Sequence, residues 1–407
     1  MGYMDRKIVL GITAAVICSS ACNNQECKMG TYGYDLAFLE KHNVKVVELK
    51  SDDGKSKVMV IPAWQGRVMT TTAGGNDGDS YGWINYKLIE SGEVSPQFNP
   101  VGGEERFWLG PEGGAYSWYF KKGQEQVHAN WVVPSVIDTE AYDIQSQDAK
   151  SVVFTKRFTL VNASDTRFDM GVKRTVSILD RAEISEVLGA EINERLNVIS
   201  YCSDNVLSNE GAAAWTEKTG MPSIWMLGLF NPTPTTTVFI PYNKECKGKL
   251  VKDDYFGKIP SDRLVLEDGM LYFKIDGKCR TKLGLPPTSA VGYAASYDTE
   301  KSVLTILKYI GPEEDALYVN SQWGEQENPF DGDVINSYND GPTEDGTIMG
   351  PFYEIEASSP AAKLAPGESL SHIQYTTHIQ GDKELIAGLV KELFGVELEK
   401  IIGMFVK

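Results

Sequence analysis

The chain has 407 residues, 42% hydrophobic and 23% charged, with a formal net charge of −17 and six cysteines. So acidic a surface argues against nucleic acid and other polyanions as partners, and the length suits one large domain or two ordinary ones. No internal repeat, low-complexity tract or Pro/Ser linker divides the middle, which favours one domain around a large sheet core.

Met1 to Ala21 reads as a targeting segment. Arg6 and Lys7 precede an apolar run from Ile8 to Cys18, too short for a membrane span, and Ser19, Ser20 and Ala21 lead into Cys22. This layout resembles a bacterial lipobox, which implies cleavage before Cys22 and a lipid on its thiol. Cys18 fits less well after bulky Ile17. Residues 22–43 then form a tether and leading segment, and an exported chain permits disulfides, with Cys246–Cys279 as the candidate pair. No cysteine spacing matches a zinc site.

Period-two alternation with β-branched and aromatic residues predicts strands over 44–49, 58–63, 67–72, 130–133, 141–147, 151–161, 167–179, 182–187 and 192–200. More follow over 223–230, 236–241, 271–275, 289–298, 302–309, 318–322, 353–358 and 369–379. Turn residues separate them at intervals that suit an all-β antiparallel sandwich over 44–381 rather than βαβ units. Residues 81–89 read as a short helix or irregular segment. Only 382–407 is clearly helical: Asp382 caps Lys383 to Phe394, and a second helix covers 397–405.

Three stretches carry candidate chemistry. Val101 to Tyr119 packs Glu104, Glu105, Arg106, Trp108, Glu112 and Trp118 among four glycines. Charged forks hydrogen-bond hydroxyls in fixed directions, and indole faces cover the apolar side of a pyranose, so the stretch suits a sugar site. A polar turn with its tryptophans in the core is the competing reading. Glu354 and Glu356, two apart on a strand, share a face. Buried together, one would have a raised pKa; facing outward, they are surface charges. Asn328 to Gly346 gathers Asp331, Asp333, Asn336, Asn339 and Asp340 around Tyr338. It reads as a solvated loop, a sugar-binding loop or a weak Ca²⁺ site lacking EF-hand spacing. No other cofactor is expected. Trp323 and Trp215 are further candidate platforms for a sugar ring.

The G-G-E-E-R-F-W-L-G-P-E run from Gly102, S-D-N-V-L-S-N-E-G from Ser203, and E-I-E-A-S-S-P followed by A-P-G-E-S from Glu354 together resemble the galactose-mutarotase-like (aldose epimerase-like) superfamily. The whole chain also resembles uncharacterised exported lipoproteins of gut Bacteroidota. The resemblance implies a β-supersandwich with a sugar cleft on a concave face. It implies Glu354 or Glu356 as the base at an anomeric carbon and Arg106 as a sugar-binding group. Asn209 falls on the family asparagine. Asn205 falls on the family's acid histidine, and an amide cannot serve as that acid. His128, in Q-V-H-A-N-W, is the substitute acid by sequence; a hydrogen-bonded strand histidine is its plain alternative. His372 and His378, six apart on one strand, read as structural. The expected protein is an exported, outer-membrane lipoprotein with a mono- or oligosaccharide partner. A non-catalytic glycan binder and a glycoside hydrolase or polysaccharide lyase are the alternatives.

Overall fold

The computed structural model describes residues 28–313, 315–343 and 346–406. The leader, Cys22 and the start of the tether lie outside the described residues. In chain order the elements are α1 (Tyr32–Lys41), β1 (Val47–Lys50), β2 (Lys57–Ile61), β3 (Arg67–Thr72), α2 (Tyr86–Ser91), β4 (Arg106–Gly110), β5 (Asp143–Gln147), β6 (Ser151–Val161) and β7 (Arg167–Ile178). Then come α3 (Arg181–Leu188), β8 (Asn197–Asn209), β9 (Ser223–Phe230), β10 (Thr236–Pro241), β11 (Leu264–Glu267), β12 (Met270–Ile275), β13 (Thr281–Leu285) and β14 (Tyr293–Asp298). The chain ends with β15 (Val303–Tyr309), β16 (Ile335–Asn339), β17 (Tyr353–Ser358), β18 (Ser369–Gln380), α4 (Lys383–Phe394) and α5 (Leu398–Gly403).

The strands form an all-β antiparallel sandwich. A ten-stranded sheet runs β11-β12-β10-β14-β15-β18-β8-β7-β6-β5, a five-stranded sheet runs β13-β16-β17-β9-β4, and β1-β2-β3 make a third. Alternation decides which side chains enter the core. In β10, Val238 and Ile240 pack toward Leu283, Leu285 and Ile355 of the five-stranded sheet. Phe239, between them, turns out under the helices with Ile386, Leu389 and Val390 of α4 and Ile401 of α5. The ten-stranded sheet is thus apolar on both faces, and α3, α4 and α5 cover the outer one. Asp382 caps α4 by accepting from the Glu384 and Leu385 N–H groups, and Gly395 ends it at φ 66°. No helix among the described residues is long and apolar enough to cross a membrane.

Several expectations change. Residues 182–187 are part of a helix, because Asp180 and Glu183 form a reciprocal capping box and Ile184 and Leu188 share its buried side. The local cap outweighs the β-branched content. Residues 130–133 are not a strand: Val132 and Val133 donate to Tyr119 and Gln97 in separate loops. Residues 318–322 make one bridge, Tyr318 to Asp331, and no ladder. Residues 192–196 precede β8 rather than belonging to it. The leading segment contains α1, whose Tyr32 and Leu39 are fully buried against Met59, Ile61 and Met69. Cys246 and Cys279 are both free; one follows β10, the other lies in the crossover to β13.

Candidate functional site

The face of the five-stranded sheet turned away from the ten-stranded one carries the chemistry. Register places Glu356 between Asn336 of β16 and Leu227 of β9, with Arg106 of β4 beyond Leu227. One row along, Glu354 lies between Leu229 and Tyr338, with Lys282 of β13 beyond Tyr338. Two cations on the edge strands therefore flank two carboxyls on the central strand, each about 10 Å away by strand spacing. Only long side chains cross that gap, and they cross it diagonally. Arg106 Nη2 reaches Glu354 Oε1 at 3.2 Å, and Lys282 Nζ reaches Glu356 Oε2 at 2.9 Å.

Indole rings wall these pairs. The Arg106 guanidinium lies 4.1 Å from the Trp108 ring and 5.5 Å from Phe98. Lys282 Nζ lies 4.9 Å from the Trp225 ring, and Trp225 Nε1 donates to Glu356 Oε2 at 2.8 Å. Such cation–π contacts add about 0.5–2 kcal/mol each as water is excluded. The floor is nearly closed: Glu356 is 0% exposed and Glu354 and Arg106 are each 6% exposed. Lys282, Tyr255, Phe98 and Glu112 form a partly exposed rim.

Burial pushes the Glu354 carboxyl up to about 8; Glu356 adds to the shift, and Arg106 and Lys282 oppose it without cancelling it. Burial also raises Glu112, with Lys282 opposing and Glu356 reinforcing. For Lys282, burial disfavours the ammonium, but Glu356 and Glu354 outweigh it and the net shift is upward. Three carboxyls thus share two cations, and the cluster retains a proton at neutral pH. Arg106 Nε, Trp108 Nε1 and Glu356 Oε1 are buried with no hydrogen-bond partner in the protein. Buried polar atoms without a partner are able to bond a polar molecule that reaches them.

The sequence model of a family of unknown function (DUF6786) matches residues 30–405. The chain belongs to that family. No curated protein matches it in sequence. Among solved structures, a galactose mutarotase-like protein from Lactobacillus casei ATCC 334 superposes with a TM-score of 0.50 at 10% identity, covering 82% of this chain and all (100%) of that one. A Synechocystis sp. PCC 6803 protein gives 0.48 at 12% identity over 83% of this chain and 96% of its own. A galactose mutarotase related enzyme from Lactobacillus acidophilus gives 0.44 at 8% over 83% and 99%. The first of these shows that this DUF6786 member has the galactose mutarotase-like all-β fold.

Of the residues singled out by sequence, this face gathers Arg106, Trp108, Glu112, Tyr338, Glu354 and Glu356. Tyr338 does not present a free hydroxyl, since it donates to Asp340 Oδ1 at 2.8 Å. Trp323 stands at the edge, 37% exposed, its ring 6.2 Å from Trp131. His128 is exposed and only stacks on Trp131, 6.0 Å away.

Glu104, Glu105, Asn205 and Asn209 lie elsewhere. Gly102 and Gly103 take positive φ (98° and 116°) and turn the chain so that both glutamates enter the space between the sheets. Glu104 bonds Thr71 Oγ1 at 2.9 Å and His378 Nε2 at 2.8 Å. Glu105 pairs with Arg174 at 2.6 Å and also accepts from Ser203 and Gln374. Asn205 accepts from Arg174 at 2.6 Å, so the residue at the family histidine position is part of this interior network. Asn209 ties Ala213 and Leu364 carbonyls at a strand end. His372 is buried and pushed down to about 4 by burial, on the other sheet. Trp215 packs against Phe168 in the core.

The Ca²⁺ reading of Asp331, Asp333 and Asp340 is not supported. Asp333 lies 3.6 Å from Lys252 and accepts from Tyr255, Asp340 accepts from Tyr338 and the Gly350 N–H, and Asp331 is exposed. Among the described residues no group of three or more His, Cys, Asp or Glu could hold a metal ion. Ile335–Asn339 of that supposed loop are β16, inside the sheet. Lys282, Trp225, Tyr255 and Trp131 were not singled out by sequence. Lys282 had a signal: it puts a long cation into the T-K-L-G-L strand on the face of the carboxyls.

Proposed function

We propose that this face binds a saccharide and moves protons at its anomeric carbon. The observation that carries the reading is the Glu354–Glu356 pair, bracketed by Arg106 and Lys282 between Trp108 and Trp225. Two carboxyls whose surroundings separate their roles are the usual requirement for paired acid/base work. Glu354 holds a proton near neutral pH and is the donor; Glu356, paired with Lys282, is the acceptor. In ring opening, Glu356 takes the proton of the anomeric hydroxyl and Glu354 gives one to the ring oxygen. The bond from anomeric carbon to ring oxygen breaks as the carbonyl forms, and reversal closes the ring on either face. Arg106 and the indole N–H groups orient hydroxyls. We further propose that the chain is exported and lipid-anchored at Cys22 at the outer membrane, on the pattern of its first 22 residues.

A non-catalytic glycan-binding role is the second reading. It is favoured by the histidines: His372 and His378 belong to the other sheet, His42 to the leading segment, and His128 to the surface. Polarimetry and NMR anomer-exchange on a panel of free aldoses separate the two. Anomer exchange above the uncatalysed rate, lost by about a hundredfold or more in Glu356→Gln, supports proton transfer. Saturable binding with no exchange rate enhancement supports the second reading. No binding and no exchange for any aldose or oligosaccharide sinks both.

A further inference from the structure

Beside the site lies an open groove of about 970 Å³, lined in part by Gly114, Tyr116, Lys121, Gln126, Glu325 and Glu327. Its walls are continuations of the loops that carry Glu112 and Trp323. Glu112 leads through Gly113 to Gly114, and Trp323 leads directly to Gly324. Gln126 clasps the two loops where they meet: its Oε1 accepts from the Gly114 and Gly324 N–H groups, each at 2.8 Å, and its Nε2 donates to the Gly114 carbonyl at 2.8 Å. A row of rings joins the groove edge to the buried floor. Trp323 lies 6.2 Å from Trp131, Trp131 lies 6.4 Å from Trp108, and Trp108 lies 4.1 Å from the Arg106 guanidinium.

The two compartments differ in size and wetness. The floor at Glu354 and Arg106 is nearly closed. The groove is open, and its volume lies at the top of the range of about 300–1,000 Å³ usual for ligand sites. Tyr116 adds an aromatic ring, stacked 5.9 Å from Phe330. Among charged lining residues, Glu125, Glu325 and Glu327 outnumber Lys121, which disfavours uronic acids and sulfated sugars. We infer that the groove is a subsite for a neutral glycan chain whose terminal residue enters the Glu354–Glu356 floor, so that the ligand is an oligosaccharide rather than a free monosaccharide. This rests on the saccharide reading of the floor.

The test is calorimetric titration with neutral gluco-, galacto- and manno-oligosaccharide ladders, from monosaccharide to hexasaccharide. Affinity is expected to rise with length. Tyr116→Ala should cut the affinity for the longer members by about tenfold, the worth of one stacked aromatic contact, and leave the monosaccharide affinity unchanged. Lys121→Ala, at an exposed position, should act in the same direction without risk to folding. Equal affinity along the ladder, or a length dependence that neither variant alters, overturns the groove. Glu356→Gln reports on the floor: if it leaves the binding of every length unchanged while Tyr116→Ala weakens it, the groove stands and the floor reading falls. Absence of binding by every ladder overturns both.

Discussion

Lys282→Met isolates the electrostatics of the site. Lys282 Nζ is 2.9 Å from Glu356 Oε2, with the two side chains 11% and 0% exposed. At that distance two unit charges attract by about 6 kcal/mol at an effective permittivity of about 20. Most of this offsets the desolvation of both groups. What the variant loses is set by the carboxylate left behind, which for a buried pair costs about 3–5 kcal/mol. Trp225 Nε1 still donates to the same oxygen, so the loss should fall at the low end, about 3 kcal/mol near pH 8. The pH dependence has a definite sign. Lys282 opposes the upward shifts of Glu354 and Glu112, so removing it raises both further and increases proton uptake. The deficit therefore narrows in acid and widens as pH rises. Urea unfolding followed by circular dichroism at about pH 5 and 8 measures it, on Lys282→Met, Glu356→Gln and the double variant. The double variant should be more stable than the sum of the singles by about 2 kcal/mol, since no orphaned charge remains. A loss under about 0.5 kcal/mol at both pH values, or strict additivity, would refute the coupling of Lys282 to the carboxyl cluster.

Glu354 itself makes the fold pH-sensitive. Its folded value, about 8, lies above the ordinary 4.5, so its contribution to stability is full below that ordinary value and is lost as pH rises to about 8. Glu354→Gln should flatten the fall in melting temperature between about pH 5 and 9; an unchanged slope counts against the burial argument. Arg174→Met strands Glu105 with Ser203 and Gln374 in a fully buried place, and an unfolding titration should show a loss of about 3–5 kcal/mol. Asp180→Ala removes half of the α3 capping box and should cost about 1 kcal/mol by the same measurement, with no effect on ligand binding.

The fold was legible wherever a run of β-branched, aromatic and other apolar residues has its ends marked by turn residues. Residues 67–72, 151–161, 223–230 and 236–241 were placed without error for that reason. It failed where another interaction replaces the alternation. In α3 a reciprocal cap organises a sequence rich in β-formers. In β16 the signal is hidden in polar residues: Asn336, Ser337 and Asn339 are buried, and their side chains bond Tyr255 and the Leu283 carbonyl, the Glu354 carbonyl, and the Asp276, Gly277 and Cys279 backbone. Composition makes such a stretch look like a loop; a paired position in the middle of a sheet makes it a strand.

The site divides along the same line. Period two places Glu354 and Glu356 on one side and settles nothing about which side is buried; the pairing of β17 between β9 and β16 does. The E-E-R run looks like one charged cluster in sequence, but the glycines before it send its members to different places. Glu104 and Glu105 enter the space between the sheets, and Arg106, at the first position of β4, takes the opposite side. Glu105 and Arg174 thereby pin the residue before Arg106 to the ten-stranded sheet. The interior network and the candidate site are therefore two sides of one strand entry: the first fixes the register from which the second reaches Glu354. Lys282, on the far edge strand and 176 positions from Arg106 in sequence, completes the site only because β13 and β4 end the same five-stranded sheet. That relation is one of sheet order, which residue types along the chain do not encode.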